Sequence, residues 1–380
     1  MILPDLLEQL SGEWSRPLSQ AGAVLTPPLA GLQVNTNSDS ASMTKFLIFN
    51  AGQSQPSLVA KWARTSSAQL RLIHEYHALN ELWTISALQS TIPKPLGYFE
   101  WDEDLVLVEA GLPGAPLSIL LQRRERNGAG EIEHDLFRAQ VWLHLLQTAT
   151  SLGVIQFAGR YEVERRVELL HQAGLRRGDF PPAFLERLYT EADDFQQLYV
   201  PIVGQHSDFQ PSKFLLDTHQ VGVIDWENFT RGAQPWADVF HFAIELVRAH
   251  AGSRSRWPAS RESFHLAFVQ QNWLSNLIVG YVNRYLRAMH LPEDAAYLFF
   301  ALFLMDMAAQ HSPYHLAPAA GRSSGWMQTL QTYLENASGS IFASDSERTV
   351  VRPGATSGAA SASESLPLSP ADYKPIGSSS

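Results

Sequence analysis

The sequence predicts an α+β protein with two lobes, a small β-rich N-lobe followed by a larger helical C-lobe. Short β-prone runs separated by Ser, Asp, Asn, Gly and Pro clusters occupy roughly the first 110 residues. After the Pro- and Gly-rich turn at residues 112–116, apolar residues recur at helical spacing. A Ser/Ala/Gly/Pro-rich segment ends the chain. We therefore expect one bilobal unit with a tail.

The N-lobe is predicted to span residues 21–111 and to be preceded by an N-terminal extension at 1–20. The β-prone runs within it are residues 31–37, 44–50, 57–62 and 105–110. Residues 68–88 predict one amphipathic helix, because apolar side chains recur there at spacings of three and four. Residues 92–100 (IPKPLGYFE) read as a connection punctuated by proline. These elements suit a β-meander that carries one helix.

The C-lobe is predicted to span residues 112–337 and to be mainly helical. Helical periodicity covers residues 136–152, 182–198, 264–289 and 293–309. The aromatic side chains of the last helix are predicted to belong to the core. Residues 338–380 are predicted to be a disordered tail, because such a composition cannot bury enough apolar surface to offset its ordering entropy. A docking role for this tail is the alternative.

Composition excludes several classes of function. The 380 residues carry a formal charge of −10, which makes the chain a poor candidate for nonspecific nucleic-acid binding. With no cysteine, disulfides, thiolate nucleophiles and Cys-ligated metals are excluded. The N-terminus lacks the basic region of a secretory signal, and the longest apolar run is too short for a bilayer span. We expect a cytoplasmic protein with neither a membrane nor a nucleic-acid partner.

The chemistry is concentrated in residues 204–238. Residues 213–216 and 221–224 are two apolar β runs joined by a polar turn, which predicts a β-hairpin. A hairpin brings its outer ends together, so Asp208, Lys213 and Asp225 should converge. Two carboxylates beside an apolar ribbon are costly unless a metal ion, a substrate hydroxyl or Lys213 joins them. A surface hairpin with solvated carboxylates is the alternative.

The same block carries an extended motif. It reads His206-Ser207-Asp208-Phe209-Gln210-Pro211, then the hairpin, then Ile224-Asp225-Trp226-Glu227, with Gly232, Pro235 and Asp238 downstream. This pattern resembles the aminoglycoside phosphotransferase / choline kinase family, small-molecule kinases with a protein-kinase-like fold. The resemblance extends over roughly residues 20–335 and is most specific within this block.

The resemblance implies an enzyme that uses ATP and Mg²⁺ to phosphorylate a hydroxyl of a small molecule. Asp208 would accept the proton of the substrate hydroxyl, and Asp225 would ligate Mg²⁺. His206 and Asp238 would brace the catalytic loop. The sequence does not determine which acceptor is used (an aminoglycoside-, choline- or sugar-like molecule), whether the nucleotide is ATP or GTP, or what the oligomeric state is.

The resemblance also assigns a nucleotide site to the N-lobe. Lys61, on the third strand, would reach the phosphates, and Glu75, on the following helix, would hold its ammonium group. The backbone of Glu109-Ala110-Gly111 would pair with the adenine edge. A serine-rich loop would face the phosphates with Ser38, Ser40 and Ser42. An edge-strand lysine and a solvated glutamate are the ordinary alternatives for the first pair.

Three departures from the family pattern leave two functions open. Lys213 stands where the family has an asparagine that ligates a second metal ion, and an ammonium group cannot ligate a metal. Ser207 replaces a glycine, and the nucleotide loop has no glycine. One hypothesis is an active small-molecule kinase. The other is a pseudokinase that binds a nucleotide or another ligand as a regulatory module.

Overall fold

The computed structural model describes residues 3–34, 42–124, 128–218, 220–250, 258–311 and 325–343. It confirms the predicted α+β architecture of a β-rich N-lobe and a helical C-lobe. Two helices, α1 (Leu3–Ser11) and α2 (Ser15–Gln20), precede the first strand. The serine-rich loop predicted at Ser38 and Ser40 lies outside the described residues.

A five-stranded antiparallel sheet forms the N-lobe, in the order β1-β2-β3-β5-β4. Its strands are β1 (Ala30–Val34), β2 (Met43–Phe49), β3 (Leu58–Ala63), β4 (Pro95–Trp101) and β5 (Asp104–Ala110). In this register Lys45 on β2 is the direct partner of Lys61 on β3. Side chains directly opposite one another share a face of the sheet. The two lysines therefore project on the same side.

Strand β4 corrects the prediction of an irregular connection at residues 92–100. Pro95 begins the strand, and β4 lies at the edge of the sheet. Proline is tolerated at that position because an edge strand has one side without ladder partners. The prolines at 93 and 95 therefore marked the entry to a strand rather than its absence.

The outer face of the sheet is covered by the N-terminal helices. Leu6, Leu10 and Leu18 are fully buried in one apolar cluster with the sheet residues Phe46 and Val108. The predicted extension is thus packed into the N-lobe. Burial of these leucines offsets the conformational entropy that the two helices lose when they become ordered.

The inner face of the sheet carries α3 (Ser66–Trp83) and looks toward the C-lobe. Thr65 caps the helix by accepting the Ala68 N–H. Helix α3 begins close to the predicted residue 68 and ends five positions before the predicted 88. Glu75 lies on its buried side, with 1% of its surface exposed. The helix is therefore placed to present a carboxylate to the inner face.

The C-lobe is built from helices around an aromatic core. They are α4 (Leu117–Arg124), α5 (Ala129–Ala149), α6 (Gly159–Gln172), α7 (Pro182–Asp194), α8 (Ala237–His250), α9 (Pro258–Phe268), α10 (Trp273–Ala288), α11 (Ala296–Gln310) and α12 (Gly325–Asn336). Helix α11 is buried nearly all round, with Phe299, Phe300 and Phe303 in the core. This confirms the prediction that its aromatic residues are core.

The single helix predicted at residues 264–289 is two helices. Asn272 interrupts it, because its side-chain oxygen accepts the N–H groups of Leu274 and Ser275 at 2.9 and 3.1 Å. The Ser275 hydroxyl in turn accepts the Asn272 N–H and completes a capping box. Helical apolar spacing continues across the break, which is why periodicity alone missed it.

Two small three-stranded sheets frame the motif at residues 204–238. The first has the order β10-β9-β6, with β6 (Ala115–Pro116), β9 (Phe214–Leu216) and β10 (Val221–Val223). The second has the order β11-β8-β7, with β7 (Gly153–Gln156), β8 (Tyr199–Gln205) and β11 (Thr230–Ala233). Strands β9 and β10 form the predicted hairpin.

The packed chain continues into the segment predicted as a tail. Ile341 and Ala343 are each 3% exposed, and Phe342 contacts the rings of Phe240 and Phe300. The boundary predicted at residue 338 is therefore too early, because three apolar residues hidden among serines still reach the core. Within the described ranges, no helix combines the length and apolarity needed to cross a membrane.

We expect Leu10→Ala to lower the free energy of unfolding by about 2–5 kcal/mol, because it removes a buried side chain and leaves a cavity. Glu8→Ala on the exposed side of the same helix should change it by less than about 0.5 kcal/mol. Urea denaturation of both variants measures the difference. Equal effects would contradict the packing of α1 against the sheet.

Candidate functional site

Lys61 and Glu75 form a buried ion pair between the sheet and α3. The Lys61 Nζ lies 2.7 Å from the Glu75 Oε1, and both side chains are at most 2% exposed. The same Glu75 oxygen accepts the backbone N–H of Trp226 at 2.8 Å. Glu75 therefore connects the N-lobe lysine to the chain segment that follows Asp225.

Two further carboxylates lie near the Lys61 ammonium group. Glu109 Oε1 is 3.0 Å from the Lys61 Nζ, and Asp225 Oδ1 is 3.1 Å from it. Burial alone would lower the pKa of Lys61, but Glu109, Glu75 and Asp225 outweigh burial and raise it well above its usual value. Lys61 is therefore a fixed positive charge at the inner face of the sheet.

Glu109 is the carboxylate of this group that can change its charge near neutral pH. Burial raises its pKa from 4.5 to about 7, and the charge of Lys61 opposes that rise. Its second oxygen, Oε2, is buried without a hydrogen-bond partner. An oxygen in that state favours the neutral acid, since a buried unpaired charge is costly.

Two of the backbone N–H groups in the segment Glu109-Ala110-Gly111, which was predicted to pair with adenine, are already used within the N-lobe. The Ala110 N–H donates to the Lys94 carbonyl, and the Gly111 N–H donates to the Ser57 carbonyl, each at 2.9 Å. Both donors are used by the N-lobe itself. Gly111 is instead needed for close packing, since a Cβ there would lie 1.9 Å from the Pro56 carbonyl oxygen. Ser42 lies just before β2, where its carbonyl accepts the Arg64 N–H.

The loop between β8 and β9 is held by Asp238 from α8. The Asp238 carboxylate accepts the backbone N–H groups of His206 and Ser207 at 2.7 and 2.9 Å. Ser207 has a φ of 63°, in the left-handed region that glycine favours. These two hydrogen bonds therefore hold the backbone in a left-handed conformation, although the residue at this position is serine and not glycine.

His206 braces the same loop as a neutral ring. Burial lowers its pKa to about 4. The Asp208 N–H donates to its Nδ1 at 3.3 Å, so Nε2 carries the proton and donates to the Ile224 carbonyl at 3.1 Å. The ring thus joins the loop before β9 to the end of β10, which keeps Asp208 and Asp225 on the same side of the hairpin.

Asp208 lies at the edge of a cavity of about 1100 Å³ in the C-lobe. One of its oxygens accepts from the Gln210 amide at 2.7 Å, and the other lies 3.8 Å from the Lys213 Nζ. Burial raises the pKa of Asp208, and the charge of Lys213 opposes that rise. A carboxylate with a raised pKa is a stronger base toward a bound hydroxyl group.

Asp225 is surrounded by three ammonium groups. The Lys45 Nζ lies 2.6 Å from Oδ1 and 2.7 Å from Oδ2, the Lys61 Nζ lies 3.1 Å from Oδ1, and Lys213 pairs with Oδ2. Burial would raise the pKa of Asp225, but Lys45, Lys61 and Lys213 outweigh it and hold that pKa well below its usual value. Its φ of 66° places Asp225 in the left-handed region.

This donor set does not fit the Mg²⁺ role predicted for Asp225. Both carboxylate oxygens are occupied by ammonium groups, and Lys213 offers no lone pair at the second ligand position. Two like unit charges about 4 Å apart repel by about 4 kcal/mol at an effective dielectric constant of about 20, and a divalent ion doubles that figure. No group of three His, Asp or Glu residues in the described part of the chain could hold a metal ion.

The convergence of Asp208, Lys213 and Asp225 is as the hairpin predicts, but Lys45 was missed. The sequence does indicate its side of the strand: in the β run 44–50, side chains alternate between two faces, which places Lys45 opposite Phe46 and Ile48. Only the pairing of β2 with β3 puts it beside Lys61. Helices α6, α8 and α11 contribute to the cavity wall together with strands β8 and β11, and of these three helices only α11 was predicted.

We expect the stability of the protein to depend on pH through Glu109. Its folded pKa is raised from 4.5 to about 7, so its contribution is present below pH 4.5 and is lost as the pH rises toward 7. The free energy of unfolding of the wild type, minus that of Glu109→Gln, should fall by up to about 3 kcal/mol over this range. Urea titrations at several pH values measure it, and parallel profiles would contradict it.

We expect Ser207→Gly to raise the free energy of unfolding by about 0.5–1 kcal/mol, because it relieves a left-handed backbone at a residue with a Cβ. Ser212→Gly is the matched control, since Ser212 is not among the residues with positive φ. It should leave stability unchanged or lower it. Thermal unfolding of both variants checks this, and equal stabilisation would contradict the argument.

Comparison with solved structures finds matches at low sequence identity, each with a TM-score below 0.5. The GDP and kanamycin complex of APH(2")-IIia aligns at a TM-score of 0.45 and 10% identity, covering 90% of this chain and 99% of that chain. The ADP and streptomycin complex of aminoglycoside phosphotransferase APH(3'')-Id from Streptomyces rimosus aligns at 0.37 and 15% identity, covering 77% and 97%. The kinase domain of PF14_0431 aligns at 0.35 and 11% identity, covering 77% and 95%.

Sequence comparisons give the family. A search of curated proteins finds no match. The family model APH, described as the phosphotransferase enzyme family, matches residues 37–273. This range contains Lys61, Glu75, Asp208 and Asp225, and it covers more than half of the chain. The chain therefore belongs to the APH phosphotransferase enzyme family.

Proposed function

We propose that this protein transfers the γ-phosphoryl group of ATP to a hydroxyl group of a small molecule. The observation that carries the proposal is the position of Asp208. One of its oxygens is 3.8 Å from a lysine of the Asp225 cluster, and its side chain also lines the large C-lobe cavity. A carboxylate between a cationic cluster and a cavity is suited to a hydroxyl that attacks a phosphate.

In the proposed reaction, the acceptor oxygen attacks the γ-phosphorus. The bond from the γ-phosphorus to the oxygen that bridges the β- and γ-phosphates breaks, and ADP leaves. The proton of the acceptor hydroxyl passes to Asp208, whose raised pKa suits it as a base. Lys61, held in place by Glu75, supplies positive charge to the phosphates.

The cavity favours a hydroxylated acceptor that is neutral or positively charged. Arg166 on its wall is paired with Glu162 at 2.5 Å and with Asp306 at 2.6 Å. Arg248 is likewise paired with Glu245. Over the whole lining, three arginines (Arg165, Arg166 and Arg248) meet five carboxyl groups (Glu162, Asp208, Asp238, Glu245 and Asp306), so the cavity has a small excess of acidic groups. The aromatic side chains of Trp236, Phe303 and Trp326 lie in the cavity wall, and all three are buried.

A nucleotide-binding protein without transfer activity is the second candidate. Lys213 favours it, because it occupies the position of a metal-ligating asparagine and pairs with Asp225. The two candidates differ in the fate of the γ-phosphate. Both require binding of ATP near Lys61.

We expect wild-type protein to transfer radiolabelled phosphate from ATP to a member of a panel of hydroxylated metabolites. Asp208→Asn should lower the rate by about 10²–10⁴-fold and leave ATP affinity within about threefold, because it removes the base alone. Asp194→Asn on the exposed end of α7 is the control and should leave both unchanged.

The possible results separate the candidates. ATP binding without transfer to any panel member would contradict the kinase proposal and support the second candidate. Unchanged transfer by Asp208→Asn would contradict the role of Asp208. Lack of ATP binding would contradict both candidates.

A further inference from the structure

Lysines are concentrated at Asp225 far beyond what composition predicts. The chain has 28 basic residues, and only five are lysines, at positions 45, 61, 94, 213 and 374. Three of these five bring their ammonium groups to the one carboxylate of Asp225. They come from β2, from β3 and from the turn before β9, so no local sequence run explains the cluster. Lysine is a compact point charge, unlike the broad guanidinium of arginine.

The exposed ends of this cluster are cationic. The side chains of Lys45 and Lys213 are 21% and 18% exposed, whereas those of Asp225 and Lys61 are 7% and 2% exposed. Glu75 and Glu109 are also buried. A ligand entering between the lobes therefore meets two ammonium groups, while the carboxylates that hold them are hidden behind. Among the described residues, Asp208 is the one partly exposed acid within 4 Å of this lysine cluster.

The two exposed ammonium groups lie where the family resemblance places divalent metal ions. Lys213 stands at the position where the family resemblance places one metal ligand, and Lys45 contacts both oxygens of Asp225, where the resemblance places the other metal. A lysine at each position supplies positive charge that does not dissociate from the protein. It also leaves neither a free carboxylate oxygen nor a low local charge for a divalent ion.

We infer that the ammonium groups of Lys45 and Lys213 replace divalent cations in this protein, which therefore binds the polyanionic triphosphate of ATP without Mg²⁺. This inference rests on the proposed function, since it assumes that a nucleoside triphosphate enters the cleft beside Lys61. Each ammonium group has three N–H donors, so Lys45 and Lys213 contact phosphate oxygens while they stay paired with Asp225. Asp225 serves as a positioning residue that gathers the lysines before the nucleotide arrives.

Calorimetric titration of the full-length protein with ATP tests the inference, in excess EDTA and again in excess MgCl₂. We expect the two dissociation constants to agree within about threefold. Lys213→Asn, which restores an amide oxygen, should weaken binding in EDTA by at least about tenfold and recover when Mg²⁺ is added. Lys45→Met should weaken ATP binding in both buffers. Lys94→Met, outside the cluster, should bind as the wild type does.

A second measurement does not depend on ATP. Titration with Mn²⁺ alone, followed by electron paramagnetic resonance, should show no binding to the wild type and measurable binding to Lys213→Asn. Circular dichroism of each variant checks that it is folded. If Lys213→Asn fails to fold, the comparison of the two buffers on the wild type and the Lys45→Met titration still decide the question.

The outcomes distinguish the inference from the proposed function. Wild-type ATP binding that needs Mg²⁺, by tenfold or more, overturns the inference and leaves the proposed function standing. Tight Mn²⁺ binding by the wild type also overturns it. Failure to bind ATP in either buffer overturns the proposed function, and the inference falls with it.

Discussion

Burial of the Asp225 carboxylate is the constraint on which the site depends. An isolated charge with so little exposure would be expensive, and it becomes tolerable only when opposite charges approach closely. Three lysines meet that requirement, and each comes from a different element. The N-lobe sheet, the catalytic loop and the hairpin must all be in place before Asp225 is neutralised. The site is therefore a product of the docked lobes and not of any one segment.

Glu75 makes the docking specific. Its carboxylate reaches Lys61 within the N-lobe and the Trp226 N–H in the C-lobe, so one buried group satisfies donors from both sides. Asp238 does the same for the catalytic loop, where it accepts two consecutive backbone N–H groups. A buried carboxylate must find such donors, and the donors it finds fix the backbone around it. The positions of Asp208 and Asp225 follow from these two anchors.

The charge pattern changes how the family resemblance should be interpreted. The resemblance assigns roles to Asp208, Asp225 and Lys61, and the structure brings these residues together around the lysine cluster. It also predicts a metal ion at Asp225, but the atoms around that carboxylate are ammonium nitrogens. An activity in this family needs positive charge at the phosphates, and that charge can be a bound ion or a side chain. The geometry here favours side chains.

Much of the fold and part of the site could be predicted from local sequence. The hairpin of β9 and β10 is set by two apolar runs and a polar turn, and it brings Asp208, Lys213 and Asp225 together whatever surrounds them. Edge strand β4 was missed because its prolines resemble a loop. The break at Asn272 was missed because a capping box can interrupt a helix without disturbing apolar spacing.

The sequence by itself determined the family, the order of the lobes and the residue types at the motif positions, since motif spacing and apolar periodicity are local properties. Only the tertiary structure decided which charges meet. Lys45 lies beside Lys61 because β2 and β3 pair in that register, and the Gly111 N–H is unavailable to a ligand because it already donates to the Ser57 carbonyl. Pairing across strands and burial of charge depend on distant parts of the chain, so no local pattern records them.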